Sequence, residues 1–115
     1  MATITKEKLS GSTNGRGIKV VQTESAGDTI HTAVANATDW DEVWIYASNT
    51  HTGSVTLTLE WGNAAVDDNI KVVINPSETV LVAPGLLIQN SLVVKAFASV
   101  TEKVNLFGYV NRMDY

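Results

Sequence analysis

The chain has 115 residues, a formal net charge of −4 and no cysteine, which bounds it to one domain able to hold a core unaided and excludes disulfides, thiol catalysis and cysteine-based zinc centres. The charge is uneven: residues 1–19 carry Lys6, Lys8, Arg16 and Lys19 against Glu7, a net +3, and the rest carries four basic and eleven acidic side chains, a net −7. An acidic body is a poor match for phosphate backbones, no apolar run nears the roughly 20 residues of a membrane helix, and residues 1–8 lack an apolar signal core, so neither nucleic acid nor membrane is expected as a partner and a soluble protein is.

In chain order, residues 1–17 read as a flexible or extended basic arm that ends in the turn-rich stretch Ser10-Gly11-Ser12-Thr13-Asn14-Gly15-Arg16-Gly17, and residues 18–115 as one β-sandwich domain. Ile18–Thr23 and Thr29–Ala33 are strand candidates, with residues 34–41 as a connector. Glu42–Ser48 is apolar on both alternating sides, Val43, Ile45 and Ala47 on one and Trp44 and Tyr46 on the other, which predicts a strand covered twice. The turn Asn49–Gly53 then predicts a hairpin to Val55-Thr56-Leu57-Thr58-Leu59-Glu60-Trp61, whose strict alternation predicts one wet face.

Residues 62–69 form an irregular excursion, Ile70–Ile74 is a strand ended by Asn75-Pro76, and Thr79–Ala83 is a strand cut by the turn dipeptide Pro84-Gly85. Leu86–Ile88, Leu92–Ala98 and Val104–Val110 complete about eight short strands, and Gly108 marks a bulge or a close neighbour. Such spacing without a long helix predicts an all-β antiparallel sandwich or jelly-roll-like barrel.

No catalytic, cofactor-binding or metal-binding residue emerges. The glycine-rich loop lacks the Gly-Lys-Ser/Thr ending of a phosphate-binding loop and leads into a strand. His31 and His51 sit in separate elements without a second ligand at metal spacing, and Asp67-Asp68-Asn69 lacks the glycine and distal glutamate of a calcium loop. Asp39, Asp41 and Glu42 around Trp40 could pair as acid and base, but acidic residues ahead of a strand ordinarily serve solubility. The sequon Asn36-Ala37-Thr38 has no secretory signal to support it. The aromatic pair Trp44 and Tyr46 fits a protein interface, where amphipathic rings bury much area, and the basic side chains Lys6, Lys8 and Arg16 of the arm suit an acidic protein surface.

Several phrases read together: Leu9-Ser10-Gly11-Ser12-Thr13-Asn14-Gly15-Arg16-Gly17-Ile18-Lys19-Val20, Ile30-His31-Thr32-Ala33, Asp41-Glu42-Val43-Trp44-Ile45-Tyr46-Ala47, Leu59-Glu60-Trp61-Gly62, Val82-Ala83-Pro84-Gly85-Leu86 and Gly108-Tyr109-Val110-Asn111-Arg112. The set resembles a family of small virion proteins of tailed bacteriophages. That resemblance implies a structural role without cofactors, as a capsid decoration or cement protein made in the bacterial cytoplasm and carried on the outside of the head. The partners it implies are the major capsid protein and further copies of the chain in a closed oligomer such as a trimer. Two alternatives remain: a carbohydrate-binding or adhesion module of a head fibre or tail, with an aromatic shelf among Trp40, Trp44, Trp61 and Tyr109, and a connector or tail component.

Overall fold

The computed structural model describes residues 2–115. Among them lie nine strands, β1 (Thr3–Lys8), β2 (Ile18–Lys19), β3 (Asp28–Thr32), β4 (Trp40–Asn49), β5 (Val55–Trp61), β6 (Asn69–Ile74), β7 (Thr79–Ile88), β8 (Val93–Ala98) and β9 (Val104–Asp114), with a single 3-10 turn at Val66–Asp68. The first sheet has the order β1-β9-β4-β7, with β2 continuing β1 along the same edge of β9, and the second has the order β3-β8-β5-β6; every pairing is antiparallel. The pairs nest: β1 and β2 with β9, β3 with β8, β4 with β7, β5 with β6. One long hairpin rolled upon itself gives this nesting, the double-sheet jelly roll. The sheets stay open at their edges, so the barrel half of the expectation gives way to a sandwich.

The alternation in the sequence sets the core. Val43, Ile45 and Ala47 of β4 and Leu106 and Val110 of β9 face inward against Val55, Leu57 and Leu59 of β5 and Val94, Ala96 and Ala98 of β8, all fully buried. Each such side chain contributes about 1.5–3 kcal/mol for the larger residues, so the inner faces define register strongly: a slip by one residue would turn every one of them outward. Gly108, paired with Ile45, is the close neighbour rather than a bulge, because a Cβ there would overlap the carbonyl of Trp44.

Five local expectations differ from the structure, the first being the wet face of β5: its polar side is covered, with Thr58 and Glu60 buried. The segment Ile18–Thr23 pairs as a strand only over Ile18–Lys19; beyond Val20 it leaves β9 and becomes a loop that runs to the second sheet, where the Ala98 N–H donates to the Gln22 carbonyl. β4 and β5 form no hairpin: Asn49 is buried and donates its amide to the carbonyls of Gly53 and Ile74, turning the chain across the sandwich into the other sheet. Pro84-Gly85 does not end a strand. β7 runs through it because β7 is an edge, where the missing proline donor costs no ladder bond, and Gly85, at φ 73°, is the extra residue of a bulge between Leu86 and Pro84. Last, β4 is covered on one side, not two. Residues 3–8 of the expected arm lie along β9 as the edge strand β1. No helix of the described residues is long and apolar enough to cross a membrane.

Candidate interaction face

The outward side of β4 and β9 is a ladder of cross-strand pairs: Trp40 opposite Met113, Glu42 opposite Asn111, Trp44 opposite Tyr109, Tyr46 opposite Phe107. β7 adds Leu81 beside Tyr46, Pro84 beside Trp44 and Leu87 beside Glu42, and β1 adds Ile4, Lys6 and Lys8. Most of this layer's outward side chains on β4 are half-buried by their neighbours, and Tyr46 is open. Tyr46 is 39% exposed, Leu81 43%, Phe107 43% and Leu87 49%, so one sheet face presents a contiguous apolar and aromatic surface of the sort that marks interaction sites.

Polar contacts brace its centre. Trp44 and Tyr109 stack with ring centroids 6.2 Å apart at 12°, the Lys6 ammonium lies 4.9 Å from the Tyr109 ring centroid, and the Glu42 carboxylate accepts from Trp44 Nε1 at 2.7 Å and Asn111 Nδ2 at 3.0 Å. Those two donors hold Glu42 below the usual carboxylate range. The Trp44 ring lies against Gly85, where an added Cβ would meet it at 2.9 Å, and Phe107 lies against Gly17 at 2.7 Å from the same construction. The glycines thus let the rings lie flat. With β1 in place, both edges of this sheet resist the addition of a further strand, β1 through its outward lysines and β7 through Pro84 and the Gly85 bulge.

Of the sequence-predicted residues, Lys6 and Lys8 on β1 and Trp44 and Tyr46 on β4 come together on this face. Arg16 does not join a ladder; it lies exposed in the loop before β2, its backbone bonded to Thr13 and Ser12. Of the aromatic shelf expected for an adhesion module, Trp40, Trp44 and Tyr109 lie on this face and Trp61 packs against the core; sequence reading missed Phe107, Leu81 and Leu87. The alternation of Val104, Leu106 and Val110 against Phe107 and Tyr109 was the available signal, but which strand lies beside which is not written in it.

The three acidic residues around Trp40 are separated. Asp39 stays in the loop, its carboxylate held below the usual range by the Asn36 amide and the Tyr115 N–H. Glu42 faces outward, and Asp41 faces inward and is fully buried. There Asp41 accepts from Arg112 Nε at 2.8 Å and Nη2 at 3.0 Å, from His31 Nε2 at 2.7 Å and from the Val34 N–H at 3.1 Å. The Ser10 N–H donates to His31 Nδ1 at 3.0 Å, which leaves Nε2 as the protonated nitrogen. Burial pushes the Asp41 carboxyl up, but Arg112 and His31 together outweigh it and hold it low. Arg112 reaches out of the sandwich to Glu7 of β1 at 3.1 Å. This network joins β1, β3, β4 and β9. It has no room for a substrate: Asp41 and His31 are sealed, and the Ser10 hydroxyl is occupied by the Thr32 N–H at 2.7 Å. His51 lies apart, in the Asn49–Gly53 turn.

The outward side of the second sheet is different. Glu60 points outward yet is buried, because the loop before β3 folds over it: Ser25 Oγ and the Gly27 N–H donate to its two oxygens. Beside that roof an open cavity of about 270 Å³ is lined by Glu60, Lys95, Gly62, Asn63 and Leu92 among others. Both Glu60 oxygens are already bonded. Among the described residues no group of three His, Asp or Glu converges as a metal site. No protein-family model matches the chain, and no curated protein matches it.

Proposed function

We propose that the protein is a non-enzymatic structural component of a tailed-phage particle, bound to the outside of the head as a decoration or cement protein through the outward face of the first sheet. The observation that carries this reading is β4: both of its alternating sides carry apolar residues, one side is buried in the core, and the other is only half-buried at Trp44 and exposed at Tyr46. A side that apolar is explained by a protein surface seated on it. Its rim of Lys6 and Lys8 supplies charge complementarity to an acidic capsid surface, and the stack and the Glu42 bond hold Trp44 and Tyr109 in place with little ordering cost on docking. Binding only to the assembled shell would stabilise the head by mass action.

The test uses heads assembled without the protein. Leu81→Glu combined with Leu87→Glu changes two exposed positions; occupancy on such heads should fall at least tenfold, with the variant still folded by circular dichroism, and undiminished occupancy overturns the proposal. The Trp44–Tyr109 stack favours one other reading, adhesion to a glycan through ring faces. A glycan array bound by the native protein and not by Trp44→Ala would replace the head reading with that one.

A further inference from the structure

We infer that β1 is an exchangeable strand, and that in the associated protein Thr3–Lys8 of one copy lies along β9 of a second copy. This goes beyond the proposed docking face and does not depend on what that face binds.

β1 belongs to the sheet but not to the core. Five of its six residues are exposed and the sixth, Glu7, is only half-buried. Apart from the ladder to β9, its side-chain ties are the Glu7–Arg112 ion pair, with both partners about a third exposed, and Lys6 over Tyr109, contacts of the kind that hold weakly in water. Its departure leaves no buried charge alone, because Arg112 keeps both of its bonds to Asp41. The body closes immediately after it. Leu9 is 1% exposed, the Ser10 N–H is bonded to His31, and the Gly11 N–H to the Ile30 carbonyl. Peeling therefore stops at Leu9 and frees a tether whose six strand residues reach about 20 Å. All six pair with β9, so in the exchanged pair the end of β9 at Tyr109 of the second copy lies directly beside Leu9 of the first.

Once β1 leaves, residues 109–114 of β9 present an unpaired row of backbone donors and acceptors, which another strand must fill. The edge states what that strand should be. Tyr109 offers its ring to a cation and Arg112 faces a carboxylate, which asks for adjacent basic and acidic residues in register. Lys6-Glu7 meets that demand, so the complementary strand is β1 itself, from either copy. Exchange re-forms every contact it breaks.

Ile4 and Met113 are cross-strand partners outside both side-chain ties, and the chain has no cysteine, so a disulfide between the substituted positions reports this pairing alone. The Ile4→Cys and Met113→Cys proteins are unfolded together, refolded as an equal mixture, concentrated until sedimentation shows association, and oxidised. Exchange predicts that covalent dimers linked between position 4 of one chain and position 113 of the other exceed those linked between two position-4 sites several-fold, by mass spectrometry of the linked peptides. A doubly substituted single chain, which closes its own bridge when dilute, checks that the geometry survives substitution. Links only between like positions, or a chain that sediments as a monomer at every concentration reached, overturn the inference. No phage head enters this experiment, so its failure leaves the docking proposal standing.

Discussion

The two sheets bury their inner faces in the same way and differ in what they turn outward. At the centre of the second sheet the outward residues are finished by the chain itself: Glu60 is roofed by Ser25 and Gly27, Lys71 and Lys95 are polar beside it, and Val73 lies exposed alone on the edge strand β6. On the first sheet the outward residues are Trp44, Tyr46, Phe107, Tyr109, Leu81 and Leu87, and no loop crosses them. A chain that folds a loop over one outward face and leaves the apolar one exposed at Tyr46, Phe107, Leu81 and Leu87 has the arrangement of a protein whose second cover comes from elsewhere. The comparison assumes that the sheets are pinned rigidly together, and the strongest way to break it is at the pin.

Asp41 is that pin, because its carboxylate joins β4 and β9 of the first sheet to His31 of the second. Asp41→Ala leaves Arg112 and His31 facing an empty site and should cost about 3 kcal/mol, at the lower end for a broken buried pair because Arg112 is partly solvated; urea unfolding measures it. The pH dependence follows from the direction of the shift. The folded carboxyl titrates below its ordinary value of 3.8, so the unfolded chain binds the proton more readily. This part of the stability is present in full above about pH 5 and is lost as the pH falls through and below the folded value. Asp41→Asn should remove that share of the acid slope while lowering stability at neutral pH.

A matched pair of glycine substitutions sharpens the contrast between the faces. At Gly27 an added Cβ would overlap the backbone of Ala96, which cannot yield, whereas at Gly17 it would meet the ring of Phe107 at 2.7 Å, and that ring is exposed and free to swing. Gly27→Ala should lift the roof from Glu60 and cost about 2–3 kcal/mol. Gly17→Ala should cost about 0.5 kcal/mol or less. Thermal unfolding of the two proteins side by side gives the answer, and equal losses would mean that the first face is as tightly built as the second.

Much of this was legible in the sequence, and the rest was not for identifiable reasons. The alternation in β5 and the doubly apolar pattern of β4 state period and face directly, so an antiparallel sandwich could be expected from residues 42–61 and 70–110 alone. Partnership between strands could not. The Asn49–Gly53 turn has hairpin chemistry, and only the buried Asn49 amide, bonded to Ile74 25 residues away, shows that it crosses between sheets. Pro84-Gly85 reads as a stop because local rules do not know that β7 is an edge. Trp44 and Tyr46 were visible as an interface candidate and Tyr109 as a shelf candidate, while Phe107 joins them only through the β4–β9 register. The Asp41–His31–Arg112 network joins residues up to 81 positions apart in the chain, which no spacing rule reaches.

The smallest expected effect on stability separates the two faces most directly in function. Leu81 on β7 and Val73 on β6 are both exposed aliphatic residues on outward sides of edge strands, at 43% and 62%. Replacing either by Gln removes little buried area, so each variant should unfold within about 0.5 kcal/mol of the native protein. If outward apolar residues were merely tolerated, the two variants would behave alike in every assay. If the first face is a docking surface, Leu81→Gln should lower occupancy on heads or any self-association through that face several-fold, and Val73→Gln should leave both unchanged. A loss with Val73→Gln as large as with Leu81→Gln would mean that the uncovered ladder of β4, β7 and β9 has no special part in recognition, because an exposed residue on the other sheet would then count for as much.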